Sequence, residues 1–190
     1  MLASVSAAIL AAALTQAPSP AVRILAVIPT ETTLTYGIVH KLHKVDGASK
    51  EVEGKVALAP DGKVQVMLRA PIVSFKSGEA SRDANMAEIL EAAKYSYVTY
   101  KGVGQIDPPS SFPATSEVTL RGELDLHGRK LAQAVPVKVT WASPTEAQVK
   151  ANFSFSLDAY GIERPSLLFI KIEDDCRIAA DLKLKLDGGK

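Results

Sequence analysis

The chain has 190 residues, 47% of them hydrophobic and 23% charged, which is enough apolar material for one buried core in one domain. Lysine plus arginine number 22 against 21 for aspartate plus glutamate, so no overall charge excess draws the protein to phosphate backbones, which argues against nucleic acid as a partner. A single cysteine, Cys176, rules out an internal disulfide and a zinc site built from several thiolates, and reads as a buried thiol.

In chain order, residues 1–21 join an apolar stretch, Leu2 to Leu14, to a Pro-rich segment, the pattern of a secretory signal cleaved after Ala21. The alternative is a short N-terminal helix that is kept. No later segment is apolar over the length of a membrane span, so residues 22–190 read as a soluble domain without an integral span. Across that domain apolar side chains recur at every second position, the signature of half-buried strands. The clearest rows are Leu34/Tyr36/Ile38, Val64/Val66/Leu68, Val118/Leu120, Val135/Val137/Val139/Trp141, Val149/Ala151/Phe153/Phe155/Leu157 and Ile178/Ala180/Leu182/Leu184/Leu186. Further extended segments are predicted at 22–28, 52–58, 97–106, 122–126 and 169–172. Pro60-Asp61-Gly62 and the stretch Asp125 to Lys130 supply hairpin turns, and the prolines of Asp107 to Pro113 make that segment a loop. One stretch changes rhythm: Met86, Ile89, Leu90 and Ala93 recur at helical spacing, predicting a helix over Ala84 to Ala93 with Ser81 or Asp83 as its cap. Its apolar stripe needs something to cover, and the open end or flank of a barrel is the natural object. The fold class is therefore all-β, an antiparallel barrel with one short inserted α-helix.

Chemistry-bearing constellations are sparse. His40 and His43 stand three apart, which on one strand points them to opposite faces, so they converge only if the chain turns between them. His127 falls in the turn Leu126-His127-Gly128. Glu173-Asp174-Asp175 reads as a solvated turn, and neither a G-x-S-x-G elbow nor a phosphate-cradling glycine loop occurs. No catalytic residue, metal site or cofactor is predicted. What remains is the apolar strand faces, and Tyr36, Ile38, Val66, Leu68, Val137, Val139, Trp141, Phe153 and Phe155 are the candidate lining of an interior that is either hollow or filled.

The residues resemble the YceI-like family, whose members are periplasmic or secreted proteins with a lipocalin-like barrel that holds long polyisoprenoid chains. Ser81-Arg82-Asp83, leading through the helix to Lys94-Tyr95-Ser96-Tyr97-Val98-Thr99-Tyr100, is similar to the family's R-D-x-H-L and K-Y-P-x-I-x-F segment. Gly122-Glu123-Leu124-Asp125-Leu126-His127-Gly128 followed by Pro136-Val137 is similar to its G-x-L-x-L-x-G and P-V hairpin, and Tyr160-Gly161-Ile162 to its aromatic-Gly-Ile ending. Asn85 stands where the family often has His, Ser96 where it has Pro, and Leu157-Asp158-Ala159 lacks its usual Arg and acidic residue. The resemblance implies a non-enzymatic carrier or store for a polyisoprenoid, a quinone or a similar lipophile, periplasmic or secreted. Arg82 and Asp83 would meet a head group near the mouth, or else form an ion pair or helix cap that fixes the loop. A filled barrel that recognises another envelope protein through its loops is the alternative, and a homodimer is left open.

Overall fold

The computed structural model describes residues 21–40, 43–167 and 170–188. The leader expected over residues 1–21 lies, apart from Ala21, outside them. The first half of the chain forms β1 (Arg23–Val27), β2 (Thr33–His40), β3 (His43–Ser49), β4 (Glu53–Leu58) and β5 (Lys63–Pro71), then helix α1 (Ala80–Ile89). The second half forms β6 (Tyr97–Gln105), β7 (Ala114–Leu126), β8 (Arg129–Ser143), β9 (Glu146–Ser156), two short strands β10 (Ser166–Leu167) and β11 (Ile170–Lys171), and β12 (Asp175–Leu186).

Pairing is antiparallel throughout. The ladder runs β1-β4-β5-β6-β7-β8-β9-β12, and β1 also pairs with β12, closing a ring of eight strands. The two-residue rhythm builds this wall directly. Val135, Val137, Val139 and Trp141 of β8 are buried while Pro136, Lys138 and Thr140 between them are exposed. At the β7–β8 hairpin His127 and Gly128 both have positive φ, 52° and 72°, as a two-residue type I′ turn requires.

β2 and β3 form a hairpin that extends the ring at one end. β12 pairs with β2 over Arg177–Asp181 and with β1 over Leu184–Leu186, so the chain steps off the barrel between β1 and β2. The 3-10 turn Pro29–Glu31 makes that step. The β12 amide left between the two pairings, that of Lys183, donates to the buried Thr32 hydroxyl at 3.1 Å, while the Lys183 carbonyl accepts from Ile28 N–H at 2.9 Å. On its other side β3 meets the rest of the barrel, among the described residues, through a single bridge, in which the Ala48 and Lys76 amides and carbonyls exchange bonds of 2.9 Å. Beside the bridge runs a chain of buried hydroxyls. Glu51 N–H donates to Ser49 Oγ, Ser49 bonds Ser74 Oγ at 2.6 Å, and Ser74 donates to the Pro71 carbonyl at 2.6 Å.

Three sequence expectations are corrected. The Val118/Leu120 row and the segment 122–126 form one continuous strand, β7, because both keep the same alternation. β3 went unpredicted, since HKVDGAS carries no apolar row. The helix begins and ends four residues earlier than Ala84 to Ala93, and neither Ser81 nor Asp83 caps it. Glu79 is the N-cap residue, and its carboxylate accepts from the Ser81 and Arg82 side chains and from no first-turn amide. Asp83 instead accepts from the Ser77 amide and hydroxyl, at 2.9 and 2.6 Å. The early stop is a Schellman motif: Glu91, at φ 47°, takes the left-handed position usual for glycine, while Ala92 N–H reaches the Ala87 carbonyl and Glu91 N–H that of Glu88. The segment 169–172 contributes the short strand β11, paired with β10, with residues 168–169 outside the described residues.

The hydroxyl chain predicts that Ser74→Ala lowers unfolding free energy by about 1–3 kcal/mol, the cost of stranding buried partners. Because Ser49 and Ser74 act on each other, the double alanine variant loses less than the sum of the single variants. Urea unfolding midpoints measure both, and additive losses contradict the shared link.

Candidate ligand-binding cavity

The barrel interior is hollow in two adjoining parts. A wide cavity of about 640 Å³ lies at the end carrying α1 and the β2–β3 hairpin, and a narrow one of about 130 Å³ lies toward the end where β1 closes on β12. Leu34, Val98 and Phe153 line both and so mark the waist between them. The wide part falls within the roughly 300–1,000 Å³ usual for small-molecule sites.

The predicted lining residues distribute over these two parts. Val66, Leu68, Val137, Val139 and Trp141 line the narrow part, Tyr36, Ile38 and Phe155 the wide part, and Phe153 the waist. Arg82 reaches the wide cavity. Asp83 is not among its lining residues, and its carboxylate is held by Ser77. That hydroxyl first, and the Ser77 amide second, keep Asp83 below the usual carboxylate range. Arg82 bonds Glu79 Oε2 at 2.6 Å.

Sequence reasoning missed one wall and most of the rim. Met86, Ile89 and Leu90 of α1 line the wide cavity, so the helical stripe is itself lining. Ile72 and Phe75 join them from the link between β5 and α1, where a 3-10 turn carries no periodic signal. The histidine geometry is also corrected. The chain does turn between His40 and His43, which face each other as a register pair of the β2–β3 hairpin, and both border the wide cavity together with Lys44. Among the described residues no group of three or more His, Cys, Asp or Glu is placed to hold a metal. Among the described residues every charged side chain lining the wide cavity is basic, with Asn85 and Ser166 as further polar groups.

Tyr36 shows how tightly the mouth is fitted. Its ring lies across its register partner Gly47, where a Cβ would stand 2.4 Å from the ring, and it meets Phe75 with centroids 5.8 Å apart. Only glycine leaves room for that ring. Burial, and then the Asp83 charge, raise the Tyr36 hydroxyl above its ordinary pKa, so it stays neutral and can donate a hydrogen bond at neutral pH. At the floor of the wide cavity Phe155 packs edge-on against Tyr160, whose buried hydroxyl donates to the Leu124 carbonyl at 3.2 Å. Gly161 beside it has φ 67°, which accounts for the glycine of the aromatic-Gly-Ile ending.

An up-and-down antiparallel barrel with an apolar hollow, a helix along one wall and a polar rim defines a lipocalin-like class of binding protein. The chain belongs to the YceI-like domain family, whose profile matches residues 25–184. No curated protein matches it in sequence. Among solved structures, a polyisoprenoid binding domain from Saccharophagus degradans superposes with a TM-score of 0.72 at 19% identity, covering 86% of this chain and 98% of that one. BcnA of Burkholderia cenocepacia gives 0.66 at 17% identity, covering 83% and 98%, and the Campylobacter jejuni YCEI protein 0.59 at 11%, covering 80% and 90%. These likenesses establish the fold. Among the described residues no helix is long and apolar enough to cross a membrane.

Cys176 lines the wide cavity as the buried thiol expected, and its pKa is pushed up to about 12, first by burial and second by the Asp175 carboxylate. A raised pKa on an acid means that the fold holds the proton more tightly than the unfolded chain, whose thiol titrates at roughly 8.5. This contribution to stability is fully present below that pH and is lost as pH rises toward 12. Cys176→Ala therefore flattens the fall in stability between those limits, leaving the same-signed slope from the half-buried Tyr36 and Tyr100 and the buried Tyr160 hydroxyls. Unfolding free energies measured across pH 8 to 11 test this. Parallel curves for the two proteins contradict it.

Proposed function

We propose that the protein holds a long lipophile, a polyisoprenoid or an isoprenoid quinone, inside its barrel and carries or stores it without chemical change. The observation that supports this reading is the apolar interior, about 640 Å³ at the mouth and continued past the Phe153 waist toward Trp141. Each methylene moved there from water contributes roughly 0.8 kcal/mol, so a chain of isoprene units gains affinity from length alone. A hollow interior favours this reading over a filled barrel that only presents loops to another envelope protein. The printed description of the Saccharophagus degradans relative as a polyisoprenoid binding domain supports the ligand class.

In this reading Tyr36, Ile38, Phe153 and Phe155 grip the chain near the mouth, and Val66, Leu68, Val137, Val139 and Trp141 surround its inner end. Arg82, with His43 and Lys44, faces a polar head. Asp83 serves indirectly, by tying the start of α1 to Ser77. The leader over residues 1–21 supports a periplasmic or secreted site of action.

Phe153→Arg tests the waist. Displacement of N-phenyl-1-naphthylamine by a polyprenol is expected to weaken at least about tenfold in the variant, equal to about 1.4 kcal/mol of binding free energy. Circular dichroism verifies the fold. Unchanged displacement by a folded variant contradicts occupation of the interior.

A further inference from the structure

We infer that the ligand enters and leaves the wide cavity sideways, through the seam between β3 and α1, and that α1 is the lid of that entrance. The inference rests on the lipophile-binding reading above and adds to it the route and the moving part. Around the ring strand follows strand in ladders, and β3 is laddered to β2 along its whole length. Its other edge is open. In an antiparallel strand the N–H and C=O of alternate residues point to the same side, so those of Lys44 and Asp46 lie on the side where Ala48 bridges Lys76, and no strand among the described residues pairs with them. From Lys76 the chain leads through Ser77 and Gly78 into α1, which therefore stands where the next strand of the wall would stand. Lys44 and Val45 line the wide cavity from one side of this seam, and Arg82, Asn85 and Met86 from the other.

The helix is held there lightly. None of its residues is buried, although Met86 and Ile89, with Leu90 just past its end, line the cavity. Among the described residues its side-chain hydrogen bonds stay within its own segment, Ser81 and Arg82 on Glu79 and Asp83 on Ser77, and none joins residues 79–90 to a barrel strand. The first tie to the wall follows the helix, where Glu91 Oε1 stands 3.5 Å from His127 Nε2. Two backbone positions of positive φ flank it, Gly78 at 85° and Glu91 at 47°. The loop 157–164, which supplies Leu157 and Ile162 to the same cavity, is built in the opposite way. Arg129 donates to its Ala159 carbonyl at 2.9 Å, Arg164 grips Asp158 at 2.7 and 2.8 Å, and Tyr160 is tied to Leu124. Of the two, the seam is the weaker closure. The apolar stripe of α1 faces a hollow, so in the empty protein its side chains have fewer partner atoms to lose on opening than a core residue has. A bound hydrocarbon chain supplies those atoms and so favours the closed helix.

In a Lys44→Cys, Asn85→Cys double variant of the full chain one thiol stands on each side of the seam, and the shortest bis-maleimide that joins them staples α1 to β3. Cys176, buried and protonated, stays out of the reaction. Joined before loading, the protein is expected to take up N-phenyl-1-naphthylamine at least about tenfold more slowly than the same variant capped with N-ethylmaleimide. Joined after loading, it is expected to release the probe to farnesol at least about tenfold more slowly. Hydrogen exchange of the wild-type protein needs no variant: amides 84–90 are expected to exchange at least about tenfold faster than those of β8, and to slow when farnesol is added. Uptake and release at the capped rates in the joined protein overturn the seam as entrance, and α1 amides as protected as those of β8 in the free protein overturn the lid. Either result leaves lipophile binding standing. Failure of the wild-type protein to take up the probe overturns lipophile binding, and the route with it, whereas exchange in the free protein still reports whether α1 opens.

Discussion

An eight-stranded barrel closed by regular ladders has an interior just wide enough for side chains to fill or for one small ligand. At the wide end the wall leaves the closed ladder, and every ladder bond given up exposes a backbone group that needs another partner. The structure resolves this at two places. Where β1 gives way to β2, Thr32 takes the stranded amide of Lys183. Where β3 must meet the far wall without a ladder, the Ala48–Lys76 bridge and the Glu51–Ser49–Ser74–Pro71 chain hold it. Both are small, buried and fully engaged, and the widened end depends on them. Helix α1 then covers the interval with an apolar stripe and completes the cavity wall.

Much of this was legible in the sequence because period-two alternation is a local signal. The rows through Val137 and Trp141, Phe153 and Phe155, and Leu182 and Leu184 fix which face points inward, and a barrel follows once each row needs a partner. The turn at His127-Gly128 was equally readable, since only certain residues tolerate positive φ at two successive positions. Departures arise where non-local contacts decide. β3 has almost no apolar residues, and it is a strand because β2 offers it a complete ladder from Leu34 to His40. That same ladder brings His40 opposite His43, which spacing on a single strand would forbid. The helix boundary shifted because Glu91 accepts a left-handed conformation that its residue type does not announce. Whether the interior was hollow could not be read, because it depends on how far opposite walls stand apart.

The interior is chemically uneven, and that unevenness suits a long ligand with distinct ends. The mouth combines a neutral tyrosine hydroxyl with basic groups on the β2–β3 hairpin and at Arg82. The middle is hydrocarbon from several strands. The far end, which the Trp141 side chain lines, is apolar too. In the proposed reading affinity comes chiefly from the length of buried chain, and selectivity from the few polar groups at the mouth. Burial keeps the Cys176 thiol protonated and so a weak nucleophile.

The central claim is that the hollow is occupied by a lipophile in the working protein. Native mass spectrometry of the protein purified from its own host, followed by solvent extraction of the same sample, tests it most directly. The account predicts a mass above that of the bare chain, lost on collisional activation and recovered in the extract as an isoprenoid or quinone of one or a few chain lengths. A population entirely at the mass of the bare chain, with an extract free of such lipids, would contradict it.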